Sequence, residues 1–278
     1  MKGIRKLSCL FGRTSLAKSV ILGLLHLLKW VFHWRHRVIK RIDGISFELD
    51  LNQLIDSELY LLGAWEYYTT EGIKKCVRPG DTVIDIGANI GAHALLCSKL
   101  VGTEGRVIAF EPMSWANNKL ARNVELNPEL RKNITIERFV VSDKVANKRP
   151  VCFRTSWALF GVENPQCSEE VSFVTLDDDA RKANINKVNV IKIDVDGFEY
   201  KVLQGARNVI YKYRPTLALE LCSYTLRSVG DNIEDLLAYL KEFGYHIILE
   251  RDWKSLDDPS QVLDLIPENG SINVFCMY

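Results

Sequence analysis

The sequence predicts an α/β fold: a mostly parallel sheet of seven strands flanked by helices, preceded by an N-terminal helical extension. Three observations predict it. From residue 82 onward, short runs rich in Val and Ile alternate with helical segments. A glycine turn, residues 87–91, follows the first run. Several runs carry a carboxylate at or just past their ends: Asp85, Glu111, Asp194 and Glu220. In open parallel sheets ligands bind beyond the carboxyl ends of the strands, so these ends are where chemistry is expected.

Residues 1–44 read as a basic amphipathic extension and 45–278 as the main domain. Residues 1–40 hold nine Lys and Arg and no Asp or Glu. Their longest charge-free apolar run, 20–28, is far shorter than the roughly 20 residues a membrane span needs. No small-residue cleavage site follows it, so it does not read as a secretory signal. A helix there would gather Val20, Leu24, Leu27, Leu28 and Val31 on one side. Residues 15–37 fit either an interfacial helix on anionic lipid, with Trp30 and Trp34 at headgroup depth, or a helix packed against protein. The expected location is the cytoplasm; peripheral contact with a membrane surface through this segment is the lesser of the two readings.

Residues 41–278 hold 27 basic against 35 acidic residues, about −8, a balance that argues against nucleic acid as a partner. The seven cysteines (Cys9, Cys76, Cys97, Cys152, Cys167, Cys222, Cys276) show no CxxC spacing. Free thiols in a reducing compartment are expected, with neither disulfides nor zinc.

Residues 45–51 (ISFELDL) alternate as a half-buried strand, and 54–77 read as helix, broken near Gly63. Pro79-Gly80-Asp81 is a turn. Strands follow at 82–86, 106–110 and 134–140, with helices at 90–100 and 114–126, the second stopped by Pro128. Strand-like pieces occur near 151–154 and 171–175. The later pattern is a strand at 188–193, a helix at 198–211, a strand at 216–221, a helix at 233–243, and strands at 245–250 and 272–277.

The loop VIDIGANIG (83–91) places Gly87 and Gly91 where backbone approaches a ligand and enters a helix. A dinucleotide fingerprint would need glycines at 89 and 92, where this chain has Asn89 and Ala92. Asp85 beside a diphosphate would be repulsive; beside a cationic amino-acid moiety it is attractive, directly or through water. S-adenosylmethionine carries such an ammonium next to a sulfonium. Glu111, followed by Pro112, ends the second strand about twenty residues on, where a carboxylate accepts ribose hydroxyls. Ser142 and Asp143 follow the third strand and could bond adenine, or form an ordinary turn. Asp194 and Asp196 close the fourth strand, Glu199 follows, and Glu220 closes the fifth. Asp196-x-x-Glu199 also has capping-box spacing.

These residues resemble the FkbM-type methyltransferases, a branch of the class I S-adenosylmethionine-dependent enzymes with a Rossmann-like fold. The similar segments are PGDTVIDIGANIG (79–91), VIAFEP (107–112) with Asn123 and Asn127 downstream, VVSD (140–143), VTLDD (174–178), IKIDVDGFEYKVLQGA (191–206) and RPTLALE (214–220). Asp196 departs from the resemblance, since the family usually has Glu there. The resemblance implies O-methylation of a hydroxyl on a sugar, glycolipid or secondary metabolite, a small-molecule or glycan acceptor. It implies that Asp85, Gly87, Asn89 and Gly91 hold the methionine end, Glu111 with Pro112 the ribose, and Ser142-Asp143 the adenine. Asp194 would lie nearest the sulfonium, and residues 65–70 would close over the site.

Methyl transfer from a sulfonium is an in-line displacement, accelerated mainly by alignment in a water-poor pocket. An alcohol must also lose a proton. Asp194, or a carboxylate beside it among Asp196, Glu199 and Glu220, is expected to accept that proton or orient the hydroxyl. The rival is a divalent cation, magnesium by its oxygen ligands, on Asp194, Asp196 and Glu220; the side-chain base is favoured. His93, early in a helix, is a poorer base. Residues 145–170, with Trp157 and Phe160, are expected to line part of the acceptor pocket.

Overall fold

The computed structural model describes residues 36–154, 166–256, 258–268 and 270–278, with backbone alone at 152–154 and 166–168. The segment 15–35, Trp157 and Phe160 therefore lie outside the described residues. The chain divides into two compact units, 1–67 with 154–166, and 68–153 with 167–278.

In the first unit, β1 (Arg37–Ile42) and β2 (Ile45–Asp50) form an antiparallel hairpin. Asp43 and Gly44 turn it with positive φ at both positions, the geometry a two-residue hairpin loop requires. The expected boundary at 44/45 thus falls inside a hairpin, because Arg37 opens a strand. Ile45, Phe47 and Leu49 are buried on one face of β2, as the alternation predicted. Helix α1 (Leu54–Leu62) follows and ends where Gly63 takes φ +75 and donates its N–H to the Leu59 carbonyl. That is the expected break, made by a left-handed cap.

The second unit takes up the chain from the second residue of α2 (Tyr67–Cys76), followed by β3 (Thr82–Ile86), α3 (Ala92–Val101), β4 (Arg106–Phe110), α4 (Ser114–Glu125), α5 (Pro128–Arg131) and β5 (Ile134–Glu137). Then come β6 (Val140–Val141), β7 (Ala146–Arg154), β8 (Gln166–Val174), α6 (Leu176–Lys182) and β9 (Val190–Ile193). Next are α7 (Glu199–Gly205), α8 (Arg207–Tyr213), β10 (Thr216–Leu221), α9 (Ser223–Ser228) and α10 (Ile233–Glu242). β11 (His246–Leu249), β12 (Ser255–Leu256), α11 (Pro259–Leu265) and β13 (Ile272–Met277) complete it.

The main sheet has the order β12-β11-β13-β10-β9-β3-β4-β5. Pairings from β5 through β10 are parallel, and β13 runs antiparallel to β10 and β11. The seven expected strands are all present, with β12 an added two-residue edge. The chain builds outward from β3 to β5, then returns to lay β9 against the other side of β3. That reversal makes the β3–β9 boundary the switch point, where the ends of adjacent strands diverge into a crevice.

In the second unit several elements differ from the sequence expectation, among them short helices at Pro128–Arg131, Ser223–Ser228 and Pro259–Leu265. The run 134–140 splits, because Val140 and Val141 leave the main sheet to join β7 and β8 in a small second sheet. The helix over 198–211 is two helices. Gly205 ends the first where the Ser142 carbonyl comes so near that a Cβ there would lie 1.9 Å from its oxygen. Helix α6 was not expected; Thr175 caps it by accepting the Asp178 N–H at 3.1 Å. Among the described residues no helix is long and apolar enough to cross a membrane.

Candidate active site

Parallel strands covered on both faces read as continuous apolar runs, and the buried parts of β3 (VIDI, after Thr82) and β9 (VIKI) obey this except at one position each. The exceptions are register partners: Asp85 pairs with Lys192 across the switch point. Asp85 is 1% exposed and Lys192 5%. The Lys192 ammonium stands 3.6 Å from Asp85 Oδ1, donates to Asp194 Oδ2 at 3.1 Å, and donates to the Gly87 carbonyl at 3.2 Å. Burial pushes the Asp85 carboxyl above its ordinary range; Lys192 opposes that rise and Asp194 adds to it. Among the described residues neither Asp85 oxygen accepts a hydrogen bond of normal length.

The glycine loop is held from three sides. Gly87 and Ala88 both donate their N–H to the Phe110 carbonyl at 3.0 Å. Gly87 has φ +83, and a Cβ on it would lie 1.9 Å from the Asp194 carbonyl oxygen. Only glycine lets the end of β3 pass the end of β9 this closely. Gly91 has φ +88 and abuts Leu120 of α4, whose Cδ1 would lie 2.5 Å from an added Cβ. The two glycines thus serve close packing of the loop on its own neighbours. Fully buried Asn123 donates to the Ile90 carbonyl at 2.8 Å, and Asn127 to the Asn123 carbonyl at 2.8 Å, so α4 fixes the far side.

Glu111, at the end of β4, accepts the Asn89 N–H at 2.9 Å on one oxygen and the Met113 N–H at 2.9 Å on the other. Each oxygen keeps a lone pair. Burial pushes this carboxyl up to about 7, with those two N–H groups opposing. Asn89 sits at φ +47, and its Oδ1 is buried with no hydrogen-bond partner among the described residues. Pro112 follows, its carbonyl accepting from Arg138 at 3.1 Å. Ser142, almost fully buried, donates through its hydroxyl to Asp143 Oδ1 at 2.9 Å, which aims the half-buried Asp143 carboxylate.

Asp194 leaves β9 partly exposed, its side chain 29% accessible, with Lys192 behind it. Asp196 is exposed at φ +51. Glu199 is fully buried, and Oε1 accepts the N–H groups of Val195 at 3.0 Å and Gly197 at 3.2 Å. The expected capping box is not formed. Phe198 is the N-cap and makes no side-chain cap bond, and Glu199 instead braces the 194–197 bend. Burial pushes Glu199 up to about 7. Glu220, half-buried on β10, is the register partner of Asn273 on β13. Asp194 lies just past β9 and Glu220 near the end of β10, the parallel strand beside it. Among the described residues no group of three His, Cys, Asp or Glu side chains converges as metal ligands, so Asp194, Asp196 and Glu220 do not form the set the cation reading needed.

Two participants escaped the sequence reading. Lys192 was visible as a charge inside an apolar strand, a signal as strong as that of Asp85. Glu250, just past β11, accepts the Thr69 hydroxyl of α2 at 2.5 Å and bonds the Asn273 side chain; burial pushes it up to about 7. The neighbouring Thr70 hydroxyl lies 3.4 Å from Nε2 of buried His93.

The methyltransferase FkbM domain family matches residues 85–247. The hexuronic acid methyltransferase AglP of Haloferax volcanii is 29% identical over 133 residues, covering 47% of this chain and 52% of that protein. The 31-O-demethyl-FK506 methyltransferase FkbM of Streptomyces tacrolimicus is 23% identical over 219 residues, 66% of this chain and 79% of that one. A crystal structure of methyltransferase FkbM from Methylobacillus flagellatus is 19% identical with a TM-score of 0.47, covering 78% of this chain and 52% of that chain. The chain thus spans about half the length of AglP and of the Methylobacillus protein.

Proposed function

The chain belongs to the FkbM methyltransferase family, and we propose that it moves the methyl group of S-adenosylmethionine to a hydroxyl oxygen of a sugar, glycolipid or secondary metabolite. The observation that carries this reading is an acidic glycine loop at the switch point. Asp85 and Asp194 flank it with Lys192 between them, two carboxylates to one ammonium. That balance repels a pyrophosphate and attracts a cation.

The residues present fit the donor. Gly87, Asn89 and Gly91 offer backbone and the unpartnered Asn89 Oδ1 to the methionine end. Glu111 has lone pairs for two ribose hydroxyls beyond those held by Asn89 and Met113. Asp143, oriented by Ser142, can accept from an adenine amino group. When bound, adenosylmethionine supplies an electrophilic methyl on a sulfonium. The residues that border the methyl need only orient the acceptor oxygen, exclude water and take its proton. Asp194 is assigned that proton. Among the described residues it is the switch-point carboxylate that is both accessible and held by Lys192.

Calorimetric titration with S-adenosylmethionine, S-adenosylhomocysteine and NAD tests the reading. Binding of the first two and not of NAD is expected. Binding of NAD alone, or of none of them, removes it.

A further inference from the structure

We propose that Lys192 is a positioning residue that lets Asp85 and Asp194 stand side by side as carboxylates, so that one net negative charge faces the methyl donor. The inference rests on the donor assignment above and adds a residue to it. Three contacts carry it. The ammonium meets Asp85 on β3 at 3.6 Å, Asp194 beyond β9 at 3.1 Å, and the Gly87 carbonyl at 3.2 Å. It therefore ties the loop under the methionine end to the residue that takes the proton, and it does so from 5% exposure, where the side chain has little freedom.

A buried lysine without partners is costly, and so are two neighbouring carboxylates without a cation. Each answers the other here: the ammonium opposes the burial that raises Asp85, and with both carboxyls ionised the sum is −1. The donor carries a net positive charge at its sulfonium; the demethylated product has lost it. A site held at −1 favours the first over the second by electrostatics alone. The other titratable groups around the ammonium are Cys97 on α3, Glu111 after β4 and, beside Asp194, Glu199 on α7. Glu111 and Glu199, both pushed up to about 7, titrate in the wild type and in Lys192 variants alike, so the comparison with the wild type isolates Lys192.

The test is the ratio of dissociation constants, S-adenosylhomocysteine over S-adenosylmethionine, measured by calorimetry from pH 6 to pH 8. Each variant's ratio is divided by the wild-type ratio at the same pH, which removes the titration of Glu111 and Glu199 common to both proteins. In Lys192→Met, Asp85 and Asp194 share a proton that the cationic donor must displace and the product need not. The ratio then rises about tenfold or more over the range, as coupling to one proton requires. Lys192→Gln, which keeps an N–H for the Gly87 carbonyl, carries the same expectation if the methionine variant does not fold. A merely structural lysine would lower both affinities and leave the ratio flat. A flat ratio in either variant, with the wild type binding both compounds, overturns the role of Lys192 alone. A wild type that binds neither overturns the donor assignment, and this inference with it.

Discussion

Glu111 reaches back from the end of β4 to take the Asn89 N–H at 2.9 Å, so one carboxylate holds the glycine loop that follows β3. The same side chain anchors the start of α4 through Met113. Glu111→Gln turns one acceptor into an amide N–H that faces a backbone donor. The expected cost is about 1–3 kcal/mol of folding stability, with weaker adenosylmethionine binding. Urea denaturation and calorimetry measure both; unchanged values in both would show that Glu111 clamps nothing.

Glu111, Glu199 and Glu250 are each pushed up to about 7 by burial. Ordinary carboxyls titrate near 4.3, so between about 4.3 and 7 the folded chain binds protons that the unfolded chain has released. Stability contributed by these groups therefore falls as pH rises through that window and levels off above it. Melting temperature at constant ionic strength should be lower at pH 8 than at pH 5.5. Glu250→Gln should flatten part of the drop; a variant whose drop equals the wild type's would count against a raised Glu250.

Gly87 and Gly80 share positive φ, +83 and +81, but a Cβ at Gly80 meets open space while one at Gly87 meets the Asp194 carbonyl. Gly80→Ala is expected to cost only backbone strain, about 1–2 kcal/mol. Gly87→Ala should cost more than ~3 kcal/mol, because the ends of β3 and β9 must part. Equal destabilisation of the two variants would argue against the close passage.

Asp194→Asn keeps size and polarity while removing the proton acceptor. Transfer of labelled methyl to a responsive neutral-sugar acceptor is expected to fall by about 100-fold or more, with donor affinity reduced less. Dialysis against EDTA should leave the wild-type rate unchanged. Full activity in Asp194→Asn would move the base elsewhere, and loss of activity on chelation would restore the cation reading.

The switch-point strands were legible because burial on both faces writes itself as unbroken Val and Ile. Their charged interruptions were legible for the same reason, though Lys192 needed its partner Asp85 to be recognised, and register is not written in either strand alone. The hairpin around Asp43-Gly44 was missed because the basic residues of β1 continue the composition of the preceding segment. Val140 and Val141 look like the tail of β5; only the pairing with β8 shows that they belong to another sheet. Gly205 gave no sign that it splits a helix, because the reason lies 63 residues away at the Ser142 carbonyl. The roles of Glu111 and Glu199 as backbone clamps were likewise hidden, since a carboxylate's partners there are main-chain N–H groups that any sequence supplies.

The position of β13 bears on how the molecule is made. It lies between β10 and β11, although it is synthesised after both. Until residues 272–277 clear the ribosome, β11 and β12 have no strand to dock on and the apolar edge of β10 stays open, a template for unwanted pairing. Closure of the sheet on this side therefore waits for residues 272–277, and chaperone dependence should concentrate in the interval between β11 and β13.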